Sequence, residues 1–169
     1  MHRKGANGWM TVFLLISLVL SSRAGAVTLS AGDKAPNFSL QDIDGNTVTL
    51  DQFRDKTVVV AFWSTWCSRC EEEMTFLRDQ FGARKDVAVL LVNQDSEKDV
   101  DLDLIRTVRE KLRITFPVLL DEGLALWDHL GINALPTSMV VDKDGKITYI
   151  EANFYWASPE KLLEAVGPG

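Results

Sequence analysis

One apolar run limits the folds open to this 169-residue chain more than any other feature. It spans residues 58–63, VVVAFW, and no polar residue interrupts it. A strand with one solvent-exposed face alternates apolar and polar residues, so this run predicts a central strand covered on both faces. From Ser68 the period becomes helical, with Met74, Leu77 and Phe81 on one face. The sequence therefore predicts a strand-to-helix junction just before Ser68.

The remaining apolar patterns divide the chain into alternating strands and helices. Residues 38–40 and 47–50 flank a turn-rich DIDGN segment and predict a β-hairpin. The other predicted elements are a helical turn at 51–53, a strand at 87–92, a helical pattern at 102–112, a strand at 116–120, a helix at 124–130, strands at 137–141 and 146–151, and a helix at 158–166. This order predicts an α/β fold with a mixed central sheet and helices on both faces.

The first 26 residues have the pattern of a secretory signal peptide. His2, Arg3 and Lys4 precede the apolar run Trp9–Leu20, and Ala24-Gly25-Ala26 resembles a cleavage site. The run is shorter than the roughly 20 residues of a membrane span, so we expect cleavage rather than an uncleaved anchor. The expectation is one periplasmic or otherwise extracytoplasmic domain of residues 27–169, attached to the membrane only if the segment stays uncleaved.

The charge of the chain argues against one class of partner. It has 18 Lys+Arg against 24 Asp+Glu, and three of the basic residues lie in the N-terminal segment. An acidic surface repels phosphate groups, so we expect no nucleic-acid partner.

Cys67 and Cys70 are the only cysteines. A disulfide between them closes so short a loop that it constrains the unfolded chain least, so chemistry explains the pair better than stabilisation. CxxC serves both zinc and redox chemistry. A helix that begins at Ser68 presents unpaired N–H groups and the positive end of its dipole to Cys67, which stabilises a thiolate there. We therefore predict Cys67 as the nucleophile and Cys70, one turn on and more buried, as the resolving thiol.

The residues around the pair have predicted roles of their own. Ser68 and Arg69 lie between the cysteines and are the residues predicted to tune the redox chemistry; the charge of Arg69 favours a thiolate. Glu73 follows Cys70 by three residues, so it shares the helix face and is placed to exchange protons with that thiol.

Two distant segments resemble one protein family. VVVAFWSTWCSRCEEEM, residues 58–74, resembles the active-site segment of the thioredoxin-fold proteins, in particular the exported TlpA/ResA-like thiol-disulfide oxidoreductases, which share FWxxWCxxC and a glutamate at the place of Glu73. GINALPTSMVVDKDGKI, residues 131–147, resembles the family segment in which a cis proline precedes a threonine beside the thiols. The resemblance implies a thioredoxin-like fold with an N-terminal β-hairpin over nearly all of residues 30–166.

The resemblance also implies where a client protein binds. Leu135, Pro136 and Thr137 would form the client platform, with a cis bond before Pro136; an X-Pro bond accepts cis at little cost. Without the resemblance, the sequence would place Pro136 at the start of an edge strand. Trp63 and Trp66 are expected to be exposed, and Trp66 to cover one side of the disulfide and contact the partner, with core packing as its alternative.

This chain departs from the family pattern at three positions. Many relatives have proline at the positions of Arg69 and Thr75, and thioredoxins themselves have a buried aspartate at the position of Ala61. Glu73 is the natural substitute for that aspartate as a proton carrier.

Other functions fit the sequence less well. In a peroxiredoxin-like thiol peroxidase the segment around the nucleophilic cysteine resembles PxxxTxxC. At the positions of that proline and threonine this chain has Val60 and Ser64. A zinc module needs about four ligands, and beyond the cysteines the domain offers one histidine, His129, which reads as a helix-surface residue. The pattern Asp142-x-Asp144-Gly145 is too short for a calcium-binding loop and predicts a turn. Residues 95–103 are predicted to form a solvated loop and the start of a helix. A non-catalytic peptide-binding module stays open.

The sequence therefore predicts a thiol-disulfide oxidoreductase that cycles between a Cys67–Cys70 disulfide and dithiol. Its expected partners are disulfide-containing or dithiol clients and a membrane electron donor or acceptor. The family resemblance suggests a reductant, for example in cytochrome c maturation. No metal or organic cofactor is expected, and the protein is expected to be a monomer.

Overall fold

A computed structural model describes residues 29–95, 101–154 and 158–168. The strands are β1 (Ser39–Asp42), β2 (Thr47–Thr49), β3 (Thr57–Trp63), β4 (Val87–Asn93), β5 (Val118–Leu120), β6 (Thr137–Val141) and β7 (Ile147–Ala152). The helices are α1 (Ser68–Phe81), α2 (Leu102–Lys111), α3 (Ala125–Leu130) and α4 (Ser158–Val166), with short 3-10 segments at Leu50–Phe53 and Glu122–Leu124. The predicted signal peptide, residues 1–26, lies outside the described residues.

All seven strands belong to one sheet, in the order β2-β1-β5-β4-β3-β6-β7. Strands β3, β4 and β5 run parallel to one another. The other pairs are antiparallel: β6 with β3, β7 with β6, β1 with β5, and β2 with β1. The predicted mixed sheet and N-terminal hairpin are therefore confirmed. Because β3 lies between β4 and β6, both of its edges are hydrogen-bonded.

The six apolar residues of β3 explain why its sequence does not alternate. Val59, Ala61 and Trp63 face a core completed by α1, α2 and α4. Val58, Val60 and Phe62 face a second core that includes α3 and the hairpin. All six are almost fully buried, so water reaches neither face of this strand. The helices therefore lie on both faces, as predicted.

Helix α3 is one residue shorter than its sequence pattern predicts. It ends at Gly131, which has the left-handed backbone conformation (φ 66°) that often closes a helix. Leu124, the predicted first residue, is itself left-handed (φ 54°), so regular helix begins only at Ala125. A side chain with a Cβ adopts this conformation at an energetic cost, which no apolar periodicity reveals.

The described part of the chain contains no helix that is both long and apolar enough to cross a bilayer.

Candidate active site

Cys67 and Cys70 form a disulfide at the start of α1. Cys67 is the N-cap residue, and its Sγ accepts a hydrogen bond from the N–H of Cys70 at 3.2 Å. That N–H lies in the first turn of the helix and also donates to the Cys67 carbonyl at 3.1 Å. Once the disulfide is reduced, it is placed to stabilise negative charge on the sulfur of Cys67. Cys67 retains 9% exposure whereas Cys70 has none. A partner can therefore reach only the first sulfur directly.

The carboxylate of Asp95, just beyond the end of β4, holds the loop between β3 and Cys67. Asp95 accepts the N–H of Thr65 at 3.0 Å through one oxygen and at 3.3 Å through the other. Asn93 in turn donates to Asp95 at 3.1 Å and accepts the Asp95 N–H at 3.1 Å. The thiol loop is thereby tied to the end of β4.

The prediction of a solvated loop at residues 95–103 is therefore wrong for Asp95, which is partly buried and structural. It holds for Asp101, whose side chain caps α2. Residues 96–100 lie outside the described residues. A signal for Asp95 was present in the sequence, since Asn93 ends a buried strand parallel to β3 and Asp95 follows two residues later. Parallel strands end at one edge of a sheet, where ligand and catalytic groups often gather.

Glu73 lies one helical turn beyond Cys70 and is 1% exposed. Its Oε1 accepts a hydrogen bond from the Ser138 hydroxyl at 2.8 Å, and its Oε2 has no hydrogen-bond partner in the described part of the chain. Burial raises the pKa of Glu73 to about 7, because the charged carboxylate loses its hydration, while the bond from Ser138 acts in the opposite direction. The carboxyl therefore exchanges its proton near neutral pH.

Two small residues make room for this carboxyl. Ser138 of β6 is the cross-strand partner of Ala61 of β3, and Ala61 faces the α1 side of the sheet. The thioredoxin aspartate would project from the position of Ala61. In this chain a carboxyl reaches the same face of the sheet from α1 instead.

The Leu135–Pro136 peptide bond is cis, as the resemblance implied. Register pairs Thr137 with Phe62, so the loop before β6 lies at the end of β3 that leads to the thiols. The main-chain oxygen of Pro136 accepts the N–H of Asn153 at 2.6 Å.

Thr137 braces this loop from within. It is buried, and its hydroxyl donates to the carbonyl of Ala134 at 2.7 Å. Its side chain therefore shapes the proposed client platform rather than facing a client.

Trp63 and Trp66 differ sharply in their solvent exposure. Trp66 is 74% exposed, which rules out core packing, and it lines a groove together with Leu135. Trp63 is only 1% exposed, so the expectation that it is exposed was wrong. It is the last residue of β3 and has the same parity as Val59 and Ala61, so it points into the core beneath α1.

The remaining predicted positions lie at or near the surface, and of these Ser68 and Arg69 are next to the cysteines in the sequence. Ser68 and Arg69 are exposed in the first turn of α1. His129 is exposed on α3, and Asp142 closes a turn by accepting the N–H groups of Asp144 and Lys146. Among the described residues, no three His, Cys, Asp or Glu side chains are close enough together to hold a metal ion.

Comparison with known proteins identifies the family. The family model described as the AhpC/TSA family matches residues 31–150. The thiol-disulfide oxidoreductase ResA of Bacillus cereus is 31% identical over 144 residues, which cover 79% of this chain and 82% of that protein. This chain belongs to the ResA-like thiol-disulfide oxidoreductases of the AhpC/TSA family.

Solved structures agree with this family and with the thioredoxin-like fold. The crystal structure of a candidate thiol:disulfide interchange protein DsbE from Chlorobium tepidum has a TM-score of 0.70 at 27% identity and covers 83% of the ResA-like chain and 100% of its own. The thioredoxin domain of a thiol-disulfide oxidoreductase from Bacteroides vulgatus has a TM-score of 0.69 at 26% identity, with the same coverage.

The buried carboxyl makes the stability of the ResA-like protein depend on pH. The pKa of Glu73 is raised from 4.5 in the absence of burial to about 7 in the folded state. Between these values the folded protein holds a proton that the unfolded chain releases, so the free energy of unfolding falls as pH rises. We expect Glu73 to contribute a loss of about 3 kcal/mol from pH 4.5 to pH 8, at ~1.4 kcal/mol per pKa unit.

Urea unfolding of the oxidised protein at several pH values measures this loss. Glu73→Gln should remove it, so that the variant becomes progressively more stable than the wild type towards pH 8. Glu72→Gln, which removes an exposed carboxylate at the preceding position, is the matched control and should keep the wild-type dependence. Parallel pH profiles for wild type and Glu73→Gln would contradict the assignment.

Proposed function

We propose that this ResA-like protein reduces disulfides in exported protein clients, with Cys67 as nucleophile, Cys70 as resolving thiol and Glu73 as proton carrier. The observation that carries this proposal is the asymmetry of the pair. One sulfur is accessible at a helix N-terminus, while the other is fully buried one turn before a carboxyl whose pKa is about 7.

The reaction is a two-electron exchange. In the reduced protein the thiolate of Cys67 attacks one sulfur of the client disulfide, forms a mixed disulfide and releases the other client sulfur as a thiolate. Cys70 then loses its proton and attacks the Sγ of Cys67. That step breaks the mixed disulfide, releases the second client thiolate and closes the Cys67–Cys70 bond. The client gains two electrons, and its two thiolates take up protons.

Glu73 gives the proton of Cys70 a destination. A buried thiol cannot transfer its proton directly to bulk water, and Glu73 lies one turn away on the buried face of α1. Its ionised form accepts the proton, and burial brings the pKa of the carboxyl close to the working pH. Ser138 orients the acceptor through its bond to Oε1.

The client would lie across the surface that surrounds Cys67. Trp66 offers an exposed ring on one side, and the Leu135–Pro136 loop lies on the other side of β3's end. Thr137 would keep that loop in shape, while Ser68 and Arg69, exposed between the thiols, would tune the exchange.

We further propose that residues 1–26 are a signal peptide and that residues 27–169 act outside the cytoplasm as a monomer. The basic start, the apolar run and the AGA site support export. In an oxidising compartment the disulfide needs a membrane electron donor to return to the dithiol. The family resemblance suggests cytochrome c maturation as the process that uses the electrons.

The cysteine variants test the assigned roles. With dithiothreitol as electron source, the wild type should reduce insulin, and Cys67→Ser should fall to the rate of dithiothreitol alone. Cys70→Ser should instead accumulate a mixed disulfide on Cys67, visible by mass spectrometry without reductant. Insulin reduction by Cys67→Ser would contradict the assignment, and binding without reduction would identify a non-catalytic peptide-binding module.

The pH dependence of exchange tests the role of Glu73. We expect the rate of Cys70 attack on the mixed disulfide to rise as pH passes about 7 in the wild type, because Glu73 becomes an acceptor there. Glu73→Gln should move this rise to higher pH, towards the range of a free thiol near 8.5. Rapid-quench measurement of the mixed disulfide follows the step, with Glu72→Gln as control. An unchanged profile in Glu73→Gln would refute the role.

Equilibration with glutathione tests the direction. An ionised Glu73 repels a thiolate and so favours the disulfide, which lowers the reduction potential. We expect a potential near that of thioredoxin, about −270 mV, rather than that of a strong oxidant, about −120 mV. A value at the oxidant end would reverse the proposed direction of electron flow.

A further inference from the structure

We propose that a groove beside Cys67 binds an aromatic client side chain that carries an N–H donor, and thereby selects the sequence next to the client cysteine. The inference rests on the proposed exchange with protein clients and concerns which clients react fastest. We call this site the tryptophan groove, after Trp66 and Trp127; its walls also include Gln94, Leu124 and Leu135.

The position of the tryptophan groove ties it to the chemistry. Trp66 directly precedes Cys67, and Leu135 directly precedes Pro136. A client residue in the groove must therefore be a close neighbour of the cysteine that becomes bonded to Cys67.

Size and lining favour one aromatic ring. The tryptophan groove has a volume of about 230 Å³, and a cavity of about 150 Å³ already holds benzene. Its described lining contains apolar, aromatic and amide side chains but no charged one. A charged client side chain would lose hydration without gaining an ion-pair partner, so the groove disfavours it.

Gln94 supplies the polar part of the recognition. It is 6% exposed, and its Nε2 donates to Oδ2 of Asp121 at 3.2 Å. Because a carboxylate only accepts, this bond fixes which end of the amide faces Asp121. The Oε1 at the other end is buried and has no hydrogen-bond partner among the described residues. A buried acceptor without a donor is unfavourable. Because the oxygen has almost no exposed surface, the Gln94 side chain shifts slightly when a client N–H enters the groove and satisfies it.

The far wall of the groove is held in place before any client arrives. Asp121 is buried and accepts the N–H groups of Leu126 at 2.9 Å and Trp127 at 2.8 Å. Leu124 keeps the unfavourable left-handed conformation that brings it to the same groove. Strained backbone of this kind is kept where the surrounding structure over-determines it, often at binding sites. The same carboxylate thus holds both the Gln94 side chain and the main chain at Trp127.

An indole meets all of these requirements, because it is large, flat and apolar and has one N–H. The matched probe is benzothienylalanine, in which sulfur replaces the indole N–H with little change of shape. We compare short peptides with one cysteine flanked by tryptophan, benzothienylalanine, alanine or glutamate. Each cysteine carries the same thionitrobenzoate leaving group, so release of the coloured thiolate reports attack by reduced Cys67.

We expect the tryptophan peptide to react about five- to tenfold faster than the benzothienylalanine peptide, as one hydrogen bond allows. The alanine and glutamate peptides should be slower still. Gln94→Met should abolish the difference between tryptophan and benzothienylalanine but keep both faster than alanine. Trp127→Ala should reduce the advantage of both rings. Leu104→Ala, which removes an exposed apolar side chain of α2 outside the groove, should leave all ratios unchanged.

Dividing each rate by the rate with a free thionitrobenzoate disulfide removes any general effect on the thiols. Equal rates for all four peptides in the wild type would overturn the groove assignment while leaving thiol exchange intact. Groove variants that slow all peptides equally would overturn it as well. No release from any peptide by reduced protein would instead overturn the proposed function itself.

Discussion

Strand β3 is hydrogen-bonded on both edges and covered on both faces, and the active site is built outward from its end. A shift of this strand by one residue would exchange its two sets of side chains between the two cores, so that Trp63 and Phe62, for example, would each enter packing shaped for the other set. The rigid strand therefore fixes where the chain leaves the sheet. The thiol loop begins there, and only four residues separate the last strand residue from the first residue of α1.

The three parallel strands β3, β4 and β5 end level with one another. Trp63 pairs with Asn93, and Asn93 pairs with Leu120. Each strand is followed at once by a polar group that the site uses: the Thr65 N–H, the Asp95 carboxylate and the Asp121 carboxylate. Their hydrogen bonds join the thiol loop, Gln94 and α3 into one edge of the sheet. Chemistry at Cys67 and recognition in the tryptophan groove are thereby held by the same framework.

Glu73 shows the cost of the chemistry in structural terms. One of its oxygens is buried and has no partner among the residues that the structure describes, which lowers stability whenever the carboxyl is charged. The fold accommodates it by small residues at Ala61 and Ser138 and by one hydrogen bond. Filling the space with an apolar side chain would favour stability, but it would remove the group whose pKa lies near 7 beside the resolving thiol.

The sequence by itself determined the order of elements, the buried central strand, the thiols at a helix start and, through family resemblance, the cis bond before Pro136. These features are local or lie within one motif, so periodicity and spacing report them. The tertiary structure alone decided that Asp95 holds the thiol loop and that Thr137 braces its own loop. It also decided that Ser138 donates a hydrogen bond to Glu73 and that Gln94 has a buried acceptor with no partner among the described residues. Each of these depends on which side chains meet across strand or helix boundaries, often over tens of residues. Burial, and with it the pKa of Glu73 near 7, exists only once those neighbours are assembled around the group.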